Sequence, residues 1–190
     1  MNPDVNPDVD PELQAPAAPR GEDAVLVAVQ AALAGRPGVL TGARAMSHFG
    51  EHSIGWLALS LLGALLMPSR RRQFLTAGIG TFLAHAAAVV IKRVVKRTRP
   101  DHPAIAVNVG TPSKLSFPSA HATSTTAAAI LLGKATGLPL PALLVPPMAT
   151  SRMVLGVHYP SDVLTGVAVG AAVAKSVGAV SDRLARKDRK

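Results

Sequence analysis

Long apolar stretches alternate with short basic clusters along most of the chain. Residues 54–67 are all apolar or small, and Pro68 and the arginines at 70–72 follow them. Residues 74–91 form a second apolar run, which ends in a cluster of lysine and arginine at 92–99. Apolar runs of this length bounded by basic residues are typical of membrane-spanning helices. The pattern therefore predicts two spanning helices here.

Three later stretches, residues 119–132, 138–157 and 163–180, are further helix candidates. They are rich in Ala, Gly, Ser and Thr and contain two Gly-xxx-Gly pairs, at 133/137 and 166/170. Small residues at this spacing permit close packing of membrane helices. We expect an all-α fold, a polytopic membrane bundle of about five spanning helices.

The amino-terminal region has a different pattern. Residues 24–34 are an apolar run too short to span a bilayer, and residues 36–51 mix basic and apolar side chains. Both stretches predict helices that lie along the membrane interface. Residues 1–21 hold five prolines and many acids, so we expect a disordered tail before a single membrane-embedded domain at 22–190.

Composition and charge narrow the possible partners. The chain is 48% hydrophobic with a net charge of +9, and residues 24–190 carry nineteen Lys and Arg against five Asp and Glu. Such a chain suits anionic lipid headgroups or a phosphorylated substrate. One Trp, one Tyr and four Phe offer few rings for base stacking, so no nucleic acid is expected. The absence of cysteine excludes thiolate chemistry.

Two cations follow the second apolar run at a spacing of seven residues, Lys92 and Arg99. If the helix extends that far, they lie on one face and can converge on one phosphate. A cation inside a membrane helix costs roughly 2.5 to 3.5 kcal/mol, so such residues lie near headgroups or serve a function. For Arg93, Lys96 and Arg97 we predict a basic belt at the membrane interface.

The segment Pro118-Ser119-Ala120-His121 precedes a run of Ala and Thr, so Ser119 is predicted to be the N-cap of a helix. The free amides of that helix start form an anion cradle, and His121 lies in its first turn. On this segment alone, the favoured interpretation is that Ser119 is only a helix cap and His121 only an interfacial histidine.

A second histidine, His158, precedes Tyr159 and Pro160. Proline favours the first position of a helix, so Asp162 falls in the first turn, where its carboxylate can reach the imidazole. A carboxylate bonded to one ring nitrogen leaves the other as a nucleophile. A purely structural pair is an equally good interpretation of these two residues alone.

Taken together, the segments resemble the motifs of the type-2 phosphatidic acid phosphatase superfamily, which includes lipid phosphatases, soluble acid phosphatases and vanadium haloperoxidases. The motifs are Lys92-x6-Arg99-Pro100, Pro118-Ser-Ala-His121 and Ser151-Arg152-x5-His158-x3-Asp162. The resemblance covers roughly residues 22–182. One departure is Ala120, where the family usually has glycine.

The resemblance implies a mechanism. His158 attacks phosphorus, Asp162 orients His158, and His121 protonates the leaving oxygen and then activates water to hydrolyse a phosphohistidine. It implies neither a metal nor another cofactor. The phosphate ligands that it implies are Lys92, Arg99, Ser119, the amide of Ala120, and Arg152.

The membrane character favours a lipid phosphatase over the soluble branches. The chain looks most like bacterial enzymes acting on polyprenyl-linked phosphates, such as the decaprenylphosphoryl-5-phosphoribose type. Phosphatidylglycerophosphate, phosphatidate and polyprenyl diphosphate stay open as substrates. A non-catalytic membrane subunit that binds anionic lipid or a partner is the alternative class, and the motifs say nothing about oligomeric state.

The cell membrane of a bacterium is the expected location, with the basic carboxy-terminal tail in the cytoplasm. The remaining histidines are predicted to have structural or interfacial roles, with His102 the one expected to touch a headgroup; the others are His48, His52 and His85.

Overall fold

The computed structural model describes residues 17–187, so most of the predicted disordered tail and the last three residues lie outside it. Helices account for the secondary structure of the described part, which confirms the all-α class. In chain order they are α1 (Gly21–Leu33), α2 (Val39–Gly50), α3 (Ile54–Leu66), α4 (Arg71–Val95), α5 (Ala120–Thr136), α6 (Leu140–Val154) and α7 (Pro160–Lys187), with short 3-10 turns at Glu51–Ser53 and Pro68–Arg70.

Helix α5 is the centre of the bundle, with α4, α6 and α7 packed around it. Its small side chains allow this, since Ala127 and Ala128 are completely buried. On α7, a Cβ atom at Gly166 would lie 2.7 Å from the Ser119 carbonyl oxygen, and one at Gly170 would lie 2.9 Å from Thr126 Cβ. The second Gly-xxx-Gly pair therefore forms the predicted close helix contact.

The first Gly-xxx-Gly pair has a different role. Gly137 ends α5 in the left-handed conformation, with φ 82°, and its amide bonds to the Gly133 carbonyl. It is therefore a helix C-cap.

Three segments are long and apolar enough to cross a membrane by length and composition: Val39–Leu66, Pro68–Val95 and Pro160–Lys187. The first comprises α2, a kink and α3, because His52 and Ser53 have left-handed backbones with φ 48° and 64°. Large apolar side chains point outward on these segments, as expected for contact with lipid, including Leu66, Phe82 and Leu164. The number of five spans stays a prediction.

Four helix termini meet at one end of the bundle: the carboxyl ends of α4 and α6 and the amino ends of α5 and α7. At the opposite end, Arg70 donates to the Ala135 carbonyl oxygen at 2.9 Å.

The buried side chain of Gln30, on α1, donates to the carbonyls of Ala106 at 2.7 Å and Val154 at 3.0 Å. It thereby fixes the long connection between α4 and α5 against α6.

Lys92 and Arg99 do not share a helix face, because the helix does not extend as far as that expectation required. Helix α4 ends at Val95 because Lys96 turns left-handed with φ 54°, and Arg99 lies in the connection beyond it. Backbone bonds hold that connection, from the Arg99 amide to the Lys114 carbonyl at 3.2 Å and from the Ser116 amide to the Arg97 carbonyl at 2.8 Å. Arg99 therefore approaches the same region as Lys92 from a loop.

Candidate active site

A cavity of about 530 Å³ opens where the four helix termini meet. Its lining includes six of the eight predicted site residues: Lys92, Arg99, Ala120, His121, Arg152 and His158. Ser119 and Asp162 are completely buried behind this lining. The structure thus brings the three sequence motifs together in one place.

Lys92 and Arg99 are held by backbone carbonyls. The Lys92 ammonium donates to the carbonyls of Leu115 at 3.0 Å and Ser116 at 2.9 Å, so one of its three hydrogens is left for another acceptor. Arg99 donates from Nε to the Ser113 carbonyl at 2.8 Å and from Nη1 to the Val157 carbonyl at 2.7 Å. Burial lowers the pKa of Arg99 to about 10, which still leaves it charged at neutral pH.

Arg152 is the most deeply placed of the cations, with only 2% of the residue exposed. Its Nη1 donates to Ser47 Oγ on α2 at 2.8 Å. Within residues 17–187 its Nε has no hydrogen-bond acceptor. A buried guanidinium with a donor to spare is suited to bind an anion in the cavity.

Contacts of His158 define which ring nitrogen carries the proton. Arg99 Nη1 lies 3.2 Å from His158 Nε2, and because arginine only donates, Nε2 must hold a lone pair. The hydrogen of the neutral ring is therefore on Nδ1. Burial, followed by the charges of Arg152, Arg99 and Lys92, holds the pKa of His158 well below its ordinary value. The ring is thus neutral at pH 7, with Nε2 in the nucleophilic form.

The Asp162 carboxylate faces the other side of this ring. Its Oδ2 accepts from the Tyr159 amide at 2.8 Å and lies 3.6 Å from His158 Nδ1. That distance is longer than a hydrogen bond, although catalytic bonds often tighten only when substrate is bound. The predicted pairing is present as proximity, and Asp162 also caps the first turn of α7.

Ser119 is the N-cap of α5 as predicted, because its Oγ accepts from the Ala122 amide at 3.4 Å. Its own amide donates to the Asp162 carbonyl oxygen at 2.9 Å, which joins the starts of α5 and α7. The backbone at Ala120 is not left-handed, so alanine fits without strain at the position where the family usually has glycine. The start of α5 therefore retains its amides for an anion.

His121 is oriented by α2. Its Nε2 lies 2.9 Å from the Ser47 carbonyl oxygen, and because a carbonyl only accepts, the hydrogen is on Nε2 and Nδ1 holds the lone pair. Gly50 packs so closely that a Cβ atom there would lie 2.8 Å from His121 Cδ2. Ser47 contacts two site residues, Arg152 through its hydroxyl and His121 through its carbonyl oxygen. Nothing in the sequence indicated this role.

The roles predicted for the other histidines stay predictions, although three of these residues lie at the cavity. His48, His52 and His85 line the cavity. His102 is absent from that lining and bonds to the Ala17 carbonyl at 2.8 Å. Glu51 also lines the cavity, and the sequence analysis did not select it. It is the one acidic residue between positions 24 and 100, and that isolation could have marked it as a candidate site residue.

Arg97 also differs from the predicted interfacial belt. Its Nη1 donates to Asp162 Oδ1 at 3.0 Å, and its Nη2 donates to Glu22 on α1 at 2.6 Å. Arg93 and Lys96 are exposed, as that prediction requires.

A helical membrane bundle with cations, two histidines and an aspartate around one cavity defines a class of protein. The sequence profile of the PAP2 superfamily matches residues 73–184, and the chain belongs to that superfamily.

Among similar proteins, decaprenylphosphoryl-5-phosphoribose phosphatase of Mycolicibacterium smegmatis is 79% identical over 78% of this chain and 83% of its own. The protein of the same name from Mycobacterium tuberculosis is 71% identical over 87% of this chain and 91% of its own.

Two solved structures have the same fold. A transmembrane PAP2 type phosphatidylglycerolphosphate phosphatase from Bacillus subtilis aligns with a TM-score of 0.66 and 24% identity, over 84% of this chain and 86% of that one. LpxE of Aquifex aeolicus aligns with a TM-score of 0.62 and 19% identity, over 81% and 92%.

Proposed function

We propose that this chain is a membrane phosphatase that hydrolyses the phosphomonoester of a polyprenyl-linked sugar phosphate, decaprenylphosphoryl-5-phosphoribose. The names of relatives at 71% and 79% identity support the substrate. The observation that carries the chemistry is the His158 ring, whose Nε2 lone pair faces a cavity lined by Lys92, Arg99 and Arg152.

In the first step, the phosphate binds to Lys92, Arg99, Arg152 and the start of α5, and it takes Arg99 away from His158 Nε2. The Nε2 lone pair attacks phosphorus, and the bond from phosphorus to the ester oxygen breaks with its electron pair on that oxygen. His121 is neutral in the free protein and takes the proton of a phosphate monoanion on Nδ1 as the substrate binds. It then keeps the hydrogen on Nε2 at the Ser47 carbonyl and gives the one on Nδ1 to the leaving oxygen. Asp162 stabilises the charge that develops on His158.

In the second step, His121 Nδ1 takes a proton from a water molecule. The water oxygen attacks phosphorus, the bond from phosphorus to nitrogen breaks, and the electron pair returns to His158 Nε2. The cations and helix amides stabilise the charge on the equatorial oxygens in both steps.

For the orientation in the bacterial cell membrane, we propose that the end of the bundle opposite the cavity faces the cytoplasm. The end opposite the cavity carries Arg70, Arg71 and Lys134, and α7 ends there in a basic segment. Since cytoplasmic ends carry the excess of Lys and Arg, this end and the carboxyl terminus are assigned to the cytoplasm.

Turnover is expected to persist in EDTA, because cations and amides of the chain supply the charge stabilisation. Phosphate release from the polyprenyl-linked substrate is measured in detergent with EDTA, against phosphatidate, phosphatidylglycerophosphate and polyprenyl diphosphate as comparison substrates. Orthovanadate should inhibit, since it adopts the five-coordinate geometry of the transition state. Complete loss in EDTA that magnesium restores would contradict this mechanism, and no release from any substrate would favour a non-catalytic lipid-binding role.

A further inference from the structure

A second group of side chains lines the cavity and has no part in the mechanism above. It consists of Glu51 and His52, in the turn after α2, and His85 on α4, with His48 beside them. Glu51 is the sole acidic side chain among the described residues of that lining. A carboxylate repels a phosphate, so this part of the cavity suits a different part of the substrate.

The turn that carries Glu51 has an unusual backbone. His52 and Ser53 are both left-handed, a conformation that costs free energy for residues other than glycine and that tends to occur at functional sites. The completely buried Ser53 holds the turn against α4, with its Oγ 3.0 Å from His85 Nδ1. The His52 and His85 rings lie 6.1 Å apart. The turn is thus fixed with one carboxylate and two imidazoles at the cavity.

A carboxylate accepts hydrogen bonds only, whereas a neutral imidazole can both donate and accept. Hydroxyl groups match this set, since each donates one hydrogen and accepts others. A sugar that carries the scissile phosphate presents hydroxyls close to that phosphate, whereas a simple lipid phosphate does not.

We propose that Glu51, His52 and His85 bind the hydroxyl groups of the sugar that carries the scissile phosphate. This subsite selects sugar phosphates over lipid phosphates without hydroxyls, and it rests on the proposed function. Glu51 makes the largest contribution, because a bond to a charged acceptor is stronger than one between neutral groups.

The test compares Glu51→Gln with the wild-type protein on two lipid substrates, one with a phosphoribose and one with its 2,3-dideoxy analogue. The variant is expected to lose roughly tenfold in kcat/KM on the ribose substrate and to change less than twofold on the analogue. Asp182→Asn, a carboxylate that pairs with Lys134 at 2.6 Å outside the cavity lining, is the control and should leave both values unchanged.

Equal losses on both substrates, or no loss on either, would overturn the subsite. Binding of ribose 5-phosphate against inorganic phosphate is also measured by calorimetry, in proteins that carry His158→Ala so that neither ligand is turned over. The protein with Glu51 should prefer the sugar phosphate, and the one with Glu51→Gln should not. Binding with this preference, together with a wild-type protein that releases no phosphate, would contradict the proposed function alone.

A separate observation concerns Arg97. Its guanidinium donates to Ser161 Oγ at 2.6 Å as well as to Glu22 and Asp162, and it stacks 4.0 Å from the centre of the Tyr159 ring. Glu22 in turn accepts from the Ser161 amide at 2.8 Å. Although burial opposes it, hydrogen bonds from Arg97 and Ser161 lower the pKa of Glu22, so the ion pair is intact at neutral pH and is lost as the pH falls through that lowered value.

We infer that Arg97 is a positioning residue for the reaction. It holds one oxygen of Asp162, so that the other stays beside His158 Nδ1, and it ties the start of α1 to the start of α7. This inference also rests on the proposed function.

Arg97→Gln is expected to lower kcat by roughly 10- to 100-fold with KM within twofold, because it misplaces the partner of the nucleophile and leaves the phosphate ligands intact. Arg97→Lys and Glu22→Gln should give intermediate values, since each keeps part of the network. The melting temperature and the single-turnover rate with an aryl phosphate are measured alongside, with Asp182→Asn as the control ion-pair variant.

Two results would overturn the role of Arg97 and leave the proposed phosphatase function standing. One is an equal fall in kcat in Asp182→Asn, and the other is a loss of kcat that only follows the loss in melting temperature. An inactive wild-type protein would remove the proposed function and this inference together.

Discussion

Replacing His158 by alanine is expected to abolish turnover of lipid phosphates and of activated aryl phosphates alike. Nε2 of His158 lies 3.2 Å from Arg99 Nη1 and is the nucleophile of the proposed mechanism. Loss of the covalent step leaves only binding, so the variant should retain affinity for inorganic phosphate within a few fold while hydrolysis of substrate falls to background. Hydrolysis and binding of inorganic phosphate are measured on the same detergent preparation.

The matched variant is His158→Asn, since asparagine fills part of the same volume without a nucleophilic nitrogen. Continued turnover in either variant, at more than a few per cent of wild type, would rule out His158 as the nucleophile.

Replacing His121 by alanine is expected to separate the two chemical steps. General acid-base catalysis contributes typically a hundred- to ten-thousandfold, and both steps use His121. An aryl phosphate with a good leaving group needs little protonation, so its first step should survive while hydrolysis of the intermediate stalls. The variant should therefore accumulate acid-labile phosphohistidine.

The measurement is a rapid quench with labelled aryl phosphate, followed by peptide mapping. Label on His158 is the expected result. Label on another residue, or steady turnover with no labelled residue, would contradict the assignment. Ser47→Ala is a useful companion variant. It removes the Ser47 hydroxyl that accepts from Arg152 but keeps the Ser47 carbonyl oxygen that contacts His121.

Local sequence signals predicted the parts of the site that depend on neighbouring residues. Ser119 caps α5 and Pro160 begins α7 because each preference acts within one helical turn. The proximity of Asp162 to His158 follows from the same local geometry. Together, the three sequence motifs supply six of the residues that line the cavity.

Contacts across the bundle were beyond such signals. Nothing near Arg97 in the sequence distinguishes it from Arg93 or Lys96, and its role depends on Glu22, 75 positions away. The cavity-lining position of His85 depends on how α4 packs against the turn at Ser53. Helix length misled in one case, because the left-handed Lys96 ends α4 before Arg99.

The contact between α5 and α7 sets the spacing of the chemistry. Helix α5 carries the anion-binding start and His121, whereas α7 carries the carboxylate that faces the nucleophile. Gly166 and Gly170 fix how closely the two helices approach, although neither lines the cavity. In the proposed mechanism, the distance between His121 and Asp162 thus depends on two residues without side chains. A methyl group added at either position, one or two turns along α7 from Asp162, would push the two helices apart.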